Sequence, residues 1–184
     1  MNHGILLVDD EPNVLSALQR ALLDEPYDIL TATSGEKGLE CLEKNQVKII
    51  VSDERMPGMG GAEFLSQVKE KYPSVIRIML TGHASVESTM KAVNSGEIYR
   101  FFTKPWSDTE LILALRSALE KYDLEAENRR LLKTVVRQSQ ELKDMERRFP
   151  GITEVERDAS GCFVMPELSD DEIAQIIATY CDEE

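Results

Sequence analysis

Short apolar runs alternate with amphipathic ones over the first 120 residues, and that alternation most restricts the fold. The runs are ILLV (5–8), YDILTAT (27–33), KIIVSD (48–53), VIRIML (75–80) and IYRFF (98–102). Between them lie PNVLSALQRALLD, SGEKGLECLEKN, GAEFLSQVKEKY and SVESTMKAVNSG. In the first of these, Val14, Leu15, Leu18 and Leu22 recur at helical spacing. Pro12 suits a first helical turn, with Asp10 or Glu11 before it as a cap. Ser34 precedes the second helix, and Gly96 closes the fourth. Strands that alternate with helices predict a parallel sheet covered on both faces. ILLV and IIV are apolar without polar alternation, as doubly covered strands require. The expected fold class is therefore α/β, a five-stranded parallel doubly wound sheet.

In such sheets the binding site lies beyond the carboxyl ends of the strands. The residues expected there are Asp9 and Asp10, then Asp53, Thr81 and Lys104. Taken singly, each has a plain explanation. Asp9 and Asp10 read as helix-capping carboxylates, and Asp53 as a strand-exit residue before MPGMGG. Thr81 reads as a turn residue and Lys104 as a surface lysine. Their convergence at one edge of the sheet is what points to chemistry. Clustered carboxylates stay ionised around a hard cation, and Mg²⁺ uses one or two carboxylates together with waters and a phosphate. Asp10 and Asp53 are the expected direct ligands, with Asp9 holding a metal-bound water. An Asp53 oxygen would attack phosphorus in line, while Lys104 and the metal neutralise the equatorial oxygens. Thr81 would offer its hydroxyl to a phosphoryl oxygen, and Gly82 would leave room beside it. Glu54 reads as a bystander that faces solvent or supports the acidic rim.

The motifs VDDE (8–11), VSDERMPGMGG (51–61), MLTGHA (79–84) and FFTKPW (101–106) resemble those of response-regulator receiver domains of bacterial two-component signalling. The resemblance covers about residues 4–120. It implies a flavodoxin-like fold with Asp53 as phosphoacceptor, Asp9 and Asp10 as the acidic metal pair, and Mg²⁺ or Mn²⁺ as the cofactor. It further implies the main-chain carbonyl of Arg55 as a metal ligand, Thr81 and Phe101 as switch residues, and a cis peptide bond before Pro105. Many members carry tyrosine where this chain has Phe101, which lacks the hydroxyl. Arg55 and His83 stand where the family's residues border the phosphoryl group. The implied partner is a histidine kinase, and the implied role is a signalling receiver rather than an enzyme. Two other classes stay open: a metal-dependent phosphatase with an aspartyl nucleophile, and a dimeric scaffold that is never phosphorylated. The phosphatase class needs a second acid two residues after the nucleophile, where this chain has Arg55.

A helix should begin near Ser107, capped by Ser107 or Asp108, with no strong stop before Pro150. From residue 124 a heptad appears. Leu124, Leu131, Gln138 and Met145 fall on d; Asn128, Val135, Leu142 and Phe149 fall on a. Asparagine and valine at a with leucine at d favour a parallel two-stranded coiled coil. Gln138 at d and the like-charged pairs Glu120/Glu125 and Glu141/Glu146 oppose it. The expected organisation is a receiver over 1–120, a coiled-coil linker over 121–149 that forms a homodimer through 124–149, and a small segment over 150–184. In that last segment, ITEVERD and CFVM flank DASG as a hairpin, and SDDE caps a final helix, a ββα tail.

Charge narrows the partners. The net charge is -13, spread as -6 over 1–120, +2 over 121–150 and -9 over 151–184. Phosphate contacts need Lys and Arg, so direct nucleic-acid binding is not expected. No apolar run approaches the roughly 18 residues of a membrane helix. The odd set Cys41, Cys162 and Cys181 shows neither metal-ligand spacing nor a disulfide framework. With MNHGILLVDDE unlike a signal peptide, a cytoplasmic setting is expected. The output is expected to be contact with a downstream protein.

Overall fold

The computed structural model describes residues 3–82 and 98–149. The elements in chain order are β1 (Gly4–Val8), α1 (Pro12–Ala21), β2 (Asp28–Ala32), α2 (Gly35–Lys44), β3 (Ile49–Asp53), α3 (Gly61–Lys71), β4 (Ile76–Thr81), β5 (Arg100–Thr103) and α4 (Asp108–Arg148). The strands form one parallel sheet in the order β2-β1-β3-β4-β5. The expected doubly wound architecture is present. The predicted helix over 85–96 and the predicted hairpin and helix beyond Pro150 lie outside the described residues.

The unbroken apolar runs divide between two cores. Ile5 and Leu7 of β1 face a core with Leu15 and Leu18 of α1 and with Leu111, Leu115 and Leu119 of α4. Leu6 and Val8, one residue out of step, face a second core with Leu42 of α2 and Phe64, Leu65 and Val68 of α3. Successive side chains on a strand point to opposite faces, so a strand buried on both sides must be apolar at every position. β2 lies at the sheet edge, and Asp28 and Thr31 are exposed.

Local chemistry sets the helix starts. Ser34 Oγ accepts the Lys37 N–H at 3.3 Å and caps α2. Ser107 Oγ accepts the Glu110 N–H at 3.4 Å at the start of α4. At α1 the expected cap is corrected: Glu11 occupies the cap position, but its side chain makes no capping bond. The Glu11 N–H is instead taken by Asp9 Oδ1 at 2.9 Å. Between β3 and α3 the chain turns at Gly58, whose φ of +78° lies in the left-handed region that favours glycine.

By internal contacts the chain divides into Met1–Arg129 and Arg130–Glu184. Within the first unit, several side chains tie the start of α4 and its continuation to the sheet. Arg116 pairs with Glu25 at 2.6 Å and Lys48 with Asp123 at 2.7 Å. The Lys121 ammonium lies 4.8 Å from the Tyr99 ring centroid. His3 is half-buried, with Nδ1 3.5 Å from Lys48 Nζ.

Candidate functional site

The strand order reverses at β1, so a crevice opens beyond the carboxyl ends of β1 and β3. Asp9 and Asp10 follow β1, and Asp53 ends β3. Asp53 pairs in register with Leu80 of β4, and Thr81 pairs with Thr103 of β5, one residue before Lys104. Parallel pairing thus brings residues almost a hundred positions apart to one edge.

Lys104 organises the centre of the site. Its Nζ lies 2.8 Å from Asp9 Oδ2 and 2.5 Å from Asp53 Oδ1. The backbone places it there: the Lys104 N–H bonds the Thr81 carbonyl at 2.8 Å, and the Lys104–Pro105 peptide is cis, as expected. Asp9 is fully buried and Asp53 nearly so. Burial pushes the Asp9 carboxyl above the ordinary aspartate value, more than its bonds to Lys104 and Glu11 bring it down. Burial pulls the Lys104 ammonium down, but its bonds to Asp53 and Asp9 outweigh that and raise it. The lysine stays cationic between two carboxylates.

Asp53 Oδ2 accepts the Arg55 N–H at 2.8 Å. The Arg55 side chain is exposed and reaches Gly82: a Cβ added at Gly82 would lie 3.0 Å from Nη2. Asp10 is half-buried, beside the fully enclosed Asp9. Phe101 is half-buried, in register with Met79, and packs on the core beneath α2 and α3. Trp106 packs on the opposite core and donates from Nε1 to Asp108 at 3.0 Å.

The donors fit a hard divalent cation. Among the described residues no three His, Cys, Asp or Glu side chains form a metal cage. Mg²⁺ needs none, because it retains waters and binds through one or two carboxylates and a phosphate. The carboxylates of Asp10 and Asp53 supply hard oxygen donors of that kind, and Asp9 lies beside them.

Glu54 departs from its expected role. Its carboxylate accepts the Thr81 hydroxyl at 2.5 Å, so the glutamate read as a bystander holds the buried threonine. The missed signal lay in the register. Glu54 follows β3 directly, and its N–H bonds the Leu80 carbonyl at 2.9 Å, which sets it beside Thr81 at the end of β4. His83 lies outside the described residues.

Against known proteins, the family model of the response regulator receiver domain matches residues 5–116. The hydrogenase transcriptional regulatory protein HoxA of Cupriavidus necator is 38% identical over 127 residues, covering 69% of this chain and 26% of that protein. The nitrogen assimilation regulatory protein NtrX of Azorhizobium caulinodans is 32% identical over 133 residues, 71% of this chain and 29% of its own. This chain thus spans about a quarter of the length of these relatives. Among solved structures, the receiver domain of an HD domain-containing protein from Pseudomonas fluorescens Pf-5 is 40% identical with a TM-score of 0.63, over 67% of this chain and 98% of that one. An adenylate cyclase structure from Rhodopirellula baltica matches with a TM-score of 0.69 at 35% identity, over 72% of this chain and 98% of that one.

Proposed function

We propose a phosphorylation-controlled signalling function on one premise: this chain belongs to the response-regulator receiver family. Asp53 is the acceptor, and a histidine kinase is the donor. One Asp53 carboxylate oxygen forms a bond to phosphorus as the phosphorus–nitrogen bond of the kinase phosphohistidine breaks. The departing imidazole nitrogen keeps the electron pair and takes up a proton. Lys104 neutralises charge on the transferring group, and the Arg55 N–H orients Asp53 for attack. Mg²⁺ or Mn²⁺, held by Asp10, Asp53 and the Arg55 carbonyl, with Asp9 acting through a water, would supply further charge neutralisation when bound. The observation that carries this reading is the Lys104 ammonium between Asp9 and Asp53, at 2.8 and 2.5 Å, from the ends of two adjacent strands and the segment after β5.

Thr81 and Phe101 then move inward and change the 84–106 surface, and the helix that follows carries the change outward. Leu131, Val135, Leu142 and Met145 are exposed along that helix, and Phe149 just after it. They fit a homodimeric coiled coil through 124–149, whose output is contact with a downstream protein through the coil and the 150–184 segment. The acidic balance fits protein partners better than direct nucleic-acid contact. Among the described residues no helix is long and apolar enough to cross a membrane, and the proposed setting is cytoplasmic. Arg55 stands where an aspartyl phosphatase needs its second acid, which favours a receiver over that enzyme.

Intact-mass measurement after incubation with acetyl phosphate and Mg²⁺ tests the acceptor. One added phosphoryl group is expected in the wild type and none in Asp53→Ala. Added mass that persists in the variant removes Asp53 from the role.

A further inference from the structure

We propose that Glu54 is a positioning residue of the switch, holding the Thr81 hydroxyl in a bond that a phosphoryl group on Asp53 must displace. This deepens the reading above and rests on Asp53 as the acceptor. Thr81 is fully buried, and its hydroxyl carries a single proton. Two acceptors lie within reach, Glu54 Oε2 at 2.5 Å and the Gly82 carbonyl at 3.0 Å. The charged, nearer oxygen takes the proton, because a bond to an ionised acceptor is roughly twice as strong as a neutral one.

The backbone makes this contact a product of the fold. The Glu54 N–H bonds the Leu80 carbonyl at 2.9 Å, which sets Glu54 beside the end of β4. The Glu54 carbonyl accepts the Gly61 N–H at 2.9 Å, at the first residue of α3. With both peptide groups held, the half-buried carboxylate spans from β3 to Thr81 over a short, defined distance.

Competition follows from the proton count. A phosphoryl group on Asp53 presents Thr81 with a new anionic acceptor. The hydroxyl serves one acceptor at a time, so engaging the phosphoryl group requires release from Glu54. Glu54 therefore opposes the phosphorylated state through Thr81. Replacing it frees the hydroxyl, and the phosphoryl group is read more easily.

Beryllofluoride with Mg²⁺ is the probe, titrated calorimetrically into the full chain as a stand-in for the phosphoryl group. The series is wild type, Glu54→Ala, Glu54→Gln, Thr81→Val and the double variant Glu54→Ala/Thr81→Val. Glu54→Ala should bind roughly tenfold more tightly than wild type, in line with loss of one charged hydrogen bond. Glu54→Gln keeps an acceptor without the charge and should fall between them. In the Thr81→Val background, Glu54→Ala should change nothing, because the shared proton is gone. An unchanged affinity in both Glu54 variants overturns the proposal. Equal tightening with and without Thr81 also overturns it, since that reports charge repulsion alone. A wild-type protein that takes up no beryllofluoride overturns the acceptor reading, and this inference with it. Wild-type binding with inert Glu54 variants removes this inference alone.

Discussion

At Lys104 one ammonium serves two carboxylates from adjacent strands, Asp9 and Asp53. Two buried carboxylates side by side repel each other, and a cation between them offsets that repulsion. The glycine at the start of α3 is as demanding. A Cβ on Gly61 would lie 1.9 Å from the Asp53 carbonyl oxygen, a distance no pair of unbonded atoms tolerates. Gly61→Ala must move the backbone at the end of β3. We expect it to cost about 3 kcal/mol, the upper end of overpacking penalties. Urea denaturation checks this, and an unchanged midpoint would show that the loop yields without strain. Asp9, Asp10, Asp53, Thr81 and Lys104 were legible as candidates because each follows an apolar run. Glu54 was not, because its partner is chosen by register between β3 and β4, which residue order does not specify.

Among the elements, α4 changes character along its length. Leu111, Ala114, Leu115, Ala118 and Leu119 are buried at helical spacing, whereas Leu124, Leu131, Leu132, Val135 and Val136 are exposed. The sequence shows apolar periodicity in both parts and does not say which stripe the sheet covers. The first packs on β1, β3 and β4; beyond it Tyr122 packs on the same core, Asp123 pairs with Lys48, and Lys121 lies over the Tyr99 ring. One tie gives a pH dependence. Its bond to Arg116 holds the Glu25 carboxyl below the ordinary glutamate value. A lowered folded value contributes stability above the unfolded value of 4.5, and that contribution is lost as the pH falls through the lower folded value. Arg116→Ala should therefore lose less melting temperature than wild type between neutral pH and acid below that window. Parallel melting curves across the range would show that the pair contributes nothing measurable.

At the scale of the whole molecule, two readings meet. Residues 3–82 and 98–120 form the receiver sheet with its helices, while α4 runs on for a total of 41 residues, about 60 Å at 1.5 Å per residue. An apolar helical seam in water gains by pairing with a second copy. Sedimentation of the full chain should show a dimer, and Leu131→Glu/Leu142→Glu should shift it to monomer without loss of the receiver fold. Both leucines are exposed in the single chain, so the variant leaves its core intact. A monomeric wild type at tens of micromolar would remove the coiled coil. The sequence by itself determined the layers and marked the candidate site residues at the ends of apolar runs. Runs apolar at every position demand burial on both faces, which a parallel sheet between two layers of helices supplies. Only the tertiary structure decided the strand order β2-β1-β3-β4-β5, which stripe of the long helix is covered, and which acceptor holds Thr81. The physical reason is the range of the forces involved. Burial patterns are written in neighbouring residues, whereas hydrogen-bond partners across strands are fixed by register over tens of residues.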